Sequence, residues 1–256
     1  MKLLVINPNT TQAMTDAIGE SARAAARPGT EIEAISPAWG PASIEGHVEE
    51  ALAAAATLDT IAKVGDEYDG IAIACYGDPG LYAARELSPV PVVGIAESSM
   101  LMATMVAHSF SVVTVIDKIV PMLEDVVARY GLTDRCASVR GTPLAVLEIE
   151  EDPERAAREV VAAARAAIAE DGAEAICLGC AGMGVLECTV REELDGIPVL
   201  DGVATAVKSL ESLIDLGLKT SRKAAFQFPG PKALTGDEPV LDAIQAKIGR
   251  PAEIGA

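Results

Sequence analysis

Short apolar runs alternate with longer helical patterns along the first 108 residues. The runs have the length and the Val and Ile content of buried strands, and they cover 2–7, 31–36, 70–75 and 91–95. The longer patterns predict helices over 9–26, 47–65, 78–87 and 97–108. Because strands that alternate with helices form parallel sheets covered on both faces, this half of the chain predicts an α/β layer.

The same order of elements begins again at residue 110. Strands are predicted over 110–116, 136–140, 174–179 and 197–201. Helices are predicted over 119–131, 152–172, 184–194 and 202–217. We interpret this repeat as an internal duplication. It predicts an α/β fold of two pseudo-symmetric parallel-sheet lobes, with the active site in the cleft between them.

Each half places a cysteine where a buried strand ends. Cys75 closes the run GIAIAC, and Cys180 follows the run EAICLG. Ligands of parallel sheets bind at the carboxyl ends of the strands, so a pseudo-twofold axis would set the two cysteines face to face across one cleft. Two opposed thiols suit stereoinversion at an acidic carbon, because a thiolate removes the proton and the other thiol delivers a proton from behind. For either cysteine alone, the alternative is a small buried hydrophobe.

The surroundings of the cysteines predict how they work. Each precedes a helix start, whose N–H groups and dipole favour a thiolate, so we expect a lowered thiol pKa. Backbone N–H groups after the cysteines are expected to bind the enolate oxygen of the substrate. These substrate contacts are Tyr76, Gly77, Ala181 and Gly182. A C–H that a neighbouring carbonyl already activates needs no metal and no organic cofactor, and we predict none.

Charge and composition narrow the function. A net charge of −18 argues against nucleic acid or an anionic membrane as partner, and no apolar run reaches the roughly 18 residues that span a bilayer. The short, quickly polar first run argues against a signal peptide, so we expect a cytoplasmic protein. Cys177 and Cys180 form a C-x-x-C pair, but His47 and His108 are isolated and Cys177 lies within an apolar run. Zinc binding and redox chemistry are therefore the weaker interpretations of this pair.

Five motifs carry a resemblance to a known family. They are INPNT (6–10), GPASIEG (40–46), ACYGDPGL (74–81), PVVGIAE (91–97) and LGCAGM (178–183). Over about residues 1–222 the chain resembles the aspartate/glutamate racemase superfamily, and within it the hydantoin racemase group, which also contains allantoin racemases. The resemblance implies cofactor-independent racemisation by Cys75 and Cys180.

The resemblance also implies a division of the chain, because the last helix of such folds commonly returns to the first lobe. Lobe 1 then comprises 1–97 and about 203–222, and lobe 2 comprises 98–202. Residues 223–256 form a C-terminal extension, in which a short amphipathic helix is predicted over 238–249.

Residues beside the cysteines indicate the class of substrate. The resemblance implies that amino-acid racemases carry Asn or Thr at the positions of Tyr76, Gly77 and Ala181, where those side chains bind the substrate's carboxylate. Their absence here favours a neutral cyclic ureide, whose ring C–H is activated by the adjacent carbonyl. Asn7 and Asn9 are candidate ring contacts, with local turn or cap formation as the alternative.

We therefore predict an enzyme that racemises 5-monosubstituted hydantoins, with allantoin racemase as the alternative. An apolar wall around C5 suits a bulky hydantoin substituent, whereas polar groups suit allantoin's ureido arm, and the segments SIEG and GDPG are where this wall is expected. A small-molecule-binding protein without catalysis is the third interpretation, and it would not need opposed cysteines. The expected partner is a small-molecule cyclic ureide, and a homo-oligomer is expected. Asp78, Glu97 and Asp201 also follow strand ends, and we interpret them first as structural, with Asp78 as a helix N-cap.

Overall fold

The two predicted sheets are present, and their strands have the same order. A computed structural model describes residues 1–236 of the chain. The first sheet contains β1 (Lys2–Ile6), β2 (Glu31–Ile35), β3 (Gly70–Ile73) and β4 (Val92–Gly94), in the order β2-β1-β3-β4. The second contains β5 (Phe110–Val113), β6 (Cys136–Arg140), β7 (Ile176–Leu178) and β8 (Val199–Asp201), in the order β6-β5-β7-β8. All paired strands are parallel, which confirms the α/β fold with two similar sheets.

Helices connect the strands as the sequence pattern predicts, and the one-turn helix α6 is present in addition to those predicted. They are α1 (Gln12–Ala25), α2 (His47–Val64), α3 (Leu81–Leu87), α4 (Ile95–Val106), α5 (Val120–Arg129), α6 (Glu148–Glu151), α7 (Pro153–Asp171), α8 (Glu187–Glu193) and α9 (Gly202–Asp215). The predicted start of α3 at residue 78 is wrong. Asp78 has φ 47° and Gly80 has φ 76°, values in the left-handed region that a right-handed helix does not use, so α3 begins after this turn. Within 1–236 no helix is both long and apolar enough to cross a bilayer.

The central strands are buried on both faces. Every residue of β3 and β5 is buried. Because helices cover both faces of each sheet, β3 is apolar throughout and β5 has a single polar residue, Ser111, rather than an alternating pattern. One apolar core extends from Leu3 and Val5 in β1 to Phe110 and Val112 in β5. The two sheets thus share a core that holds their strand ends in a defined relation.

Helix α9, the last α-helix within residues 1–236, packs on the first sheet. A Cβ placed on Gly70 of β3 would lie 3.0 Å from the side chain of Leu210 in α9. The Glu211 carboxylate accepts hydrogen bonds from the backbone N–H of Arg27 at 2.9 Å and from the Thr30 hydroxyl at 2.7 Å. The division into lobes by residue number stays a prediction, and its boundary after residue 97 falls inside α4.

The start of the C-terminal extension packs on α3. Arg222, the residue just before the extension, donates hydrogen bonds to the carbonyl oxygens of Arg85 at 2.7 Å and of Phe226 at 3.0 Å. The Phe226 ring meets the Tyr82 ring edge-on, with 5.6 Å between the ring centroids. The helix predicted over 238–249 lies outside the described residues.

Candidate active site

The same backbone contact holds both cysteines at their strand ends. The residue before Cys75 donates its N–H to the carbonyl oxygen of Ile6, the last residue of β1, at 2.8 Å. The residue before Cys180 donates its N–H to the carbonyl oxygen of Val113, the last residue of β5, at 2.7 Å. Since β3 and β7 occupy the same place in their sheets, the two halves present their thiols at equivalent positions.

Cys75 and Cys180 line one cleft of about 580 Å³, a volume that includes its opening to solvent. Both residues are half-buried. Aliphatic side chains from the second half of the chain form a wall of this cleft: Val115, Ile119, Met122, Leu123 and Val146. Met14 and Ile44 add apolar surface from the first half. The structure therefore brings the two predicted catalytic residues together in a largely apolar space.

Burial makes both thiols weak acids in the free protein. Loss of hydration raises the pKa of Cys75 to about 12 and that of Cys180 to about 11. The backbone N–H groups of Gly77 and Gly182 point at the two sulfur atoms and oppose this rise. The charge of one thiolate also raises the pKa of the other, because Cys180 is close enough to act on Cys75.

The expectation of a lowered thiol pKa is therefore wrong, and the reason is structural. After Cys75 the chain makes a turn, and α3 begins only at Leu81. After Cys180 a short 3₁₀ helix, Ala181–Leu186, takes the place of an α-helix start. Neither thiol has the N-terminus of a long helix beside it, so desolvation outweighs the helix dipole.

The two predicted asparagines line the cleft and differ in their bonding. The amide N–H₂ of Asn7 donates to the side-chain oxygens of Asn9 at 2.8 Å and Thr15 at 2.9 Å, so it serves the local turn. The amide nitrogen of Asn9 lies 3.0 Å from the sulfur of Met14, which is a weak acceptor. The Asn9 amide is therefore the better candidate for a substrate contact, and Asn7 positions it.

The four predicted backbone contacts are not equivalent. Tyr76, Gly77 and Ala181 line the cleft, whereas Gly182 is not among the described lining residues. The Tyr76 hydroxyl is hydrogen-bonded to Ser99 at 2.7 Å in the buried core, so this polar group already has a partner. Since the N–H groups of Gly77 and Gly182 serve the sulfur atoms, the structure gives them a role in stabilising a thiolate.

The acidic residues at strand ends have structural partners. Asp78 is buried and accepts hydrogen bonds from the N–H groups of Ala96 at 3.1 Å and Glu97 at 2.9 Å, and from the Tyr130 hydroxyl at 2.6 Å. It caps α4, not α3 as predicted from sequence, because its two N–H partners lie in the first turn of α4. Asp201 caps α9 through the N–H of the third residue on, at 3.0 Å.

The C-x-x-C pair is split between the core and the cleft. Cys177 is fully buried within β7, whereas Cys180 lies at the cleft. In the part of the chain that the structure describes, no group of three or more His, Cys, Asp or Glu side chains could hold a metal ion. The two cysteines of the pair therefore have different surroundings, one in the core and the other at the cleft.

Glu50, a residue that the sequence analysis did not single out, also lines the cleft. It is the only residue with a formal charge among the described lining residues. One indication of this position in the sequence is that Glu50 lies one helical turn after the SIEG segment. A charged residue at that point is more simply interpreted as part of an exposed helix face. Glu45 and Glu150 lie close enough to Cys180 to raise its pKa further, and burial raises the pKa of Glu150 itself.

Two similar parallel sheets and a cleft with paired cysteines define a two-lobed α/β protein of racemase type. The sequence profile of a family described as Asp/Glu/Hydantoin racemase matches residues 3–210. This chain belongs to that family.

Curated relatives and solved structures resemble nearly the whole chain. A hydantoin racemase of Pseudomonas sp. (strain NS671) is 48% identical over 237 residues, which are 92% of this chain and 95% of that protein. A hydantoin racemase of Rhizobium meliloti is 42% identical over 237 residues, 92% of this chain and 98% of that protein. The structure of an allantoin racemase from Klebsiella pneumoniae superposes with a TM-score of 0.90 at 45% identity, covering 97% of this chain and 99% of that one.

Proposed function

We propose that the chain racemises 5-monosubstituted hydantoins without a cofactor, with Cys75 and Cys180 as its two acid–base groups. One observation carries the proposal: the two thiols stand at equivalent strand ends and line one small cleft. The relatives named hydantoin and allantoin racemase support racemase activity on cyclic ureides. The family match supports the same class of reaction.

The reaction needs a thiolate on one face of the ring carbon C5 and a thiol on the other. The thiolate takes the proton from C5, and the C–H electron pair passes into the adjacent carbonyl to form an enolate. The opposite thiol then gives its proton to the other face of C5, which restores the carbonyl and leaves a thiolate on that side. The reverse reaction uses the same groups in exchanged roles. The N–H groups of Gly77 and Gly182 stabilise whichever sulfur carries the charge.

The wall of the cleft favours a hydantoin with an apolar substituent. Val115, Ile119 and Leu123 offer aliphatic surface and no hydrogen-bonding group to the substituent on C5. A benzyl or alkyl group would gain roughly 25 cal/mol per Å² of apolar surface that it buries there. Allantoin's ureido arm would lose hydration against the same wall.

Allantoin racemase remains the second candidate. The 45% identity to the Klebsiella pneumoniae allantoin racemase over nearly the full length favours it. The polar side chains of Asn9 and Glu50 in the cleft could also meet a ureido arm. The two candidates share the proton-transfer chemistry and differ only in the group that the wall receives.

Incubation with single enantiomers separates the candidates. One enantiomer of 5-benzylhydantoin, and separately of allantoin, is added to the protein, and optical rotation is followed against a protein-free blank. We expect faster decay for 5-benzylhydantoin, and faster decay for allantoin would reverse the order of the candidates. In D₂O, deuterium should enter C5 of the product enantiomer as it forms. Product that keeps the original hydrogen in most turnovers would contradict two independent, solvent-exchanged thiols.

The partner and the assembly belong to this proposal as well. We expect a small-molecule cyclic ureide as the partner, since both thiols line one cleft whose wall is largely apolar. The homo-oligomer stays a prediction, which light scattering on the purified full-length chain would test.

A further inference from the structure

One carboxylate in the cleft takes no part in the proton transfer. Glu50 stands in the first turn of α2, and its side chain is 22% exposed. Among residues 1–236, its only basic neighbour within 4 Å is His47, at 3.8 Å on a side chain that is 75% exposed. This distance is too long for a hydrogen bond. Within the described residues, its carboxylate oxygens accept no hydrogen bond from a side chain or backbone group, so they can accept one from a ligand.

Glu50 lies beside the turn that follows Cys75. A Cβ placed on Gly77 would be 3.3 Å from the Oε1 atom of Glu50, and the N–H of Gly77 points at the Cys75 sulfur. The charge of Glu50 is also close enough to raise the pKa of Cys75. A ring whose C5 carbon lies between the two thiols would therefore have its neighbouring ring atoms next to this carboxylate.

The donors of a cyclic ureide match an ionised carboxylate. The ring carries two N–H groups: N1–H, bonded to C5, and N3–H, between the two carbonyls. A carboxylate is an acceptor only, and N1 is the nitrogen bonded to C5, the carbon whose proton the thiols exchange. No Lys or Arg stands among the described lining residues, so the cleft offers no cation to a ligand that carries a carboxylate.

We infer that Glu50 binds the substrate by accepting a hydrogen bond from its N1–H, which sets the rotation of the ring between Cys75 and Cys180. This inference rests on the proposed function and names the contact that selects a ureide ring. The same negative charge disfavours the ring-opened N-carbamoyl amino acid, whose carboxylate would meet a carboxylate.

Three variants isolate the contact. Glu50→Met removes the acceptor at nearly constant length, so it opens no space for a methyl group. Glu50→Gln keeps a carbonyl acceptor without the charge and should restore part of the loss. Glu49→Gln is the matched control, because Glu49 also lies in the first turn of α2 and carries the same charge but does not line the cleft.

Each variant is assayed with 5-benzylhydantoin and with its 1-methyl and 3-methyl derivatives. In the wild type, 1-methylation should lower kcat/KM roughly 10- to 100-fold, the range for a hydrogen bond to a charged acceptor. Glu50→Met should lower kcat/KM for the parent compound by a similar factor and should show no further loss on 1-methylation. Glu49→Gln should keep the wild-type values, and 3-methylation should affect the wild type and Glu50→Met alike.

The outcomes also distinguish a failure of the Glu50 contact from a failure of the proposed racemase function. If 1-methylation costs as much in Glu50→Met as in the wild type, or if Glu49→Gln is as damaging as Glu50→Gln, the Glu50 contact is overturned while the racemase assignment stands. A folded wild-type protein that leaves 5-benzylhydantoin unchanged would overturn the proposed function, and the contact with it.

Discussion

Between pH 7 and pH 9 we expect kcat/KM for racemisation to rise about 100-fold. Burial raises the pKa of Cys180 to about 11 and that of Cys75 to about 12. A thiol with a pKa near 11 is ionised to about one part in 10⁴ at pH 7 and about one part in 10² at pH 9. The reaction needs one thiolate and one thiol, so the active fraction of the free enzyme grows about tenfold with each pH unit. Because kcat/KM reports the ionisation of the free enzyme, its logarithm should increase with a slope of about one.

The assay follows the optical rotation of one enantiomer of 5-benzyl-3-methylhydantoin at concentrations below KM. This compound lacks the acidic imide N–H, so the substrate does not change its charge over the range. The rate without protein is subtracted at each pH, because base alone racemises hydantoins. A plateau or a fall between pH 7 and pH 9 would refute the reasoning, since it would place a thiol pKa near neutrality in spite of the burial.

A direct measurement of the thiols checks the same prediction without substrate. Alkylation by iodoacetamide requires the thiolate, and mass spectrometry of the digested protein reports each cysteine separately. The alkylation rates of Cys75 and Cys180 should keep rising above pH 9. A rate that levels off near pH 8 would contradict the raised pKa values.

Substitution of single residues and changes of ligand test other parts of the site. Cys75→Ser and Cys180→Ser should each reduce racemisation roughly 10²- to 10⁴-fold, because a hydroxyl is a much weaker acid than a thiol. Either variant should still exchange the C5 proton of one enantiomer in D₂O, as NMR would show, and full racemase activity in a folded variant would contradict the two-base assignment. Free aspartate should not be racemised, since no Asn or Thr follows either cysteine, and turnover seen by chiral chromatography would count against a neutral substrate. Activity should survive EDTA, and a loss that Zn²⁺ restores would revive a metal site at the C-x-x-C pair. Burial raises the pKa of Asp78 from 3.8 to about 7, so the wild type loses stability as pH rises from about 4 to 7. The Asp78→Asn variant does not ionise at this position. Its free energy of unfolding in urea should therefore gain up to about 4 kcal/mol relative to the wild type over that range, at about 1.36 kcal/mol per pKa unit. A difference independent of pH would argue against a buried, ionising Asp78.

Local patterns in the sequence were sufficient to predict the sheets and the place of both cysteines. Runs such as GIAIAC are apolar throughout because helices cover both faces of a parallel sheet, and this signal does not depend on distant residues. The repeat of the same order in the second half predicted that Cys75 and Cys180 occupy equivalent strand ends, and the paired backbone contacts to Ile6 and Val113 follow that repeat. The absence of Asn and Thr after the cysteines can likewise be read directly from the chain.

Tertiary structure alone decided how the site is charged and which polar groups enter it. A thiol pKa depends on how much water the surrounding elements exclude, so the start of a helix nearby in sequence gave the wrong direction for Cys75. Asp78 caps α4 rather than α3 because its partners, Ala96 and Glu97, come from the next strand end. Glu50 belongs to a helix whose pattern predicts an exposed charge, and only the packing of α2 beside the turn at Gly77 brings its carboxylate to the cleft. Local sequence carries the periodicity of burial, whereas contacts between residues far apart in the chain set the electrostatics of the site.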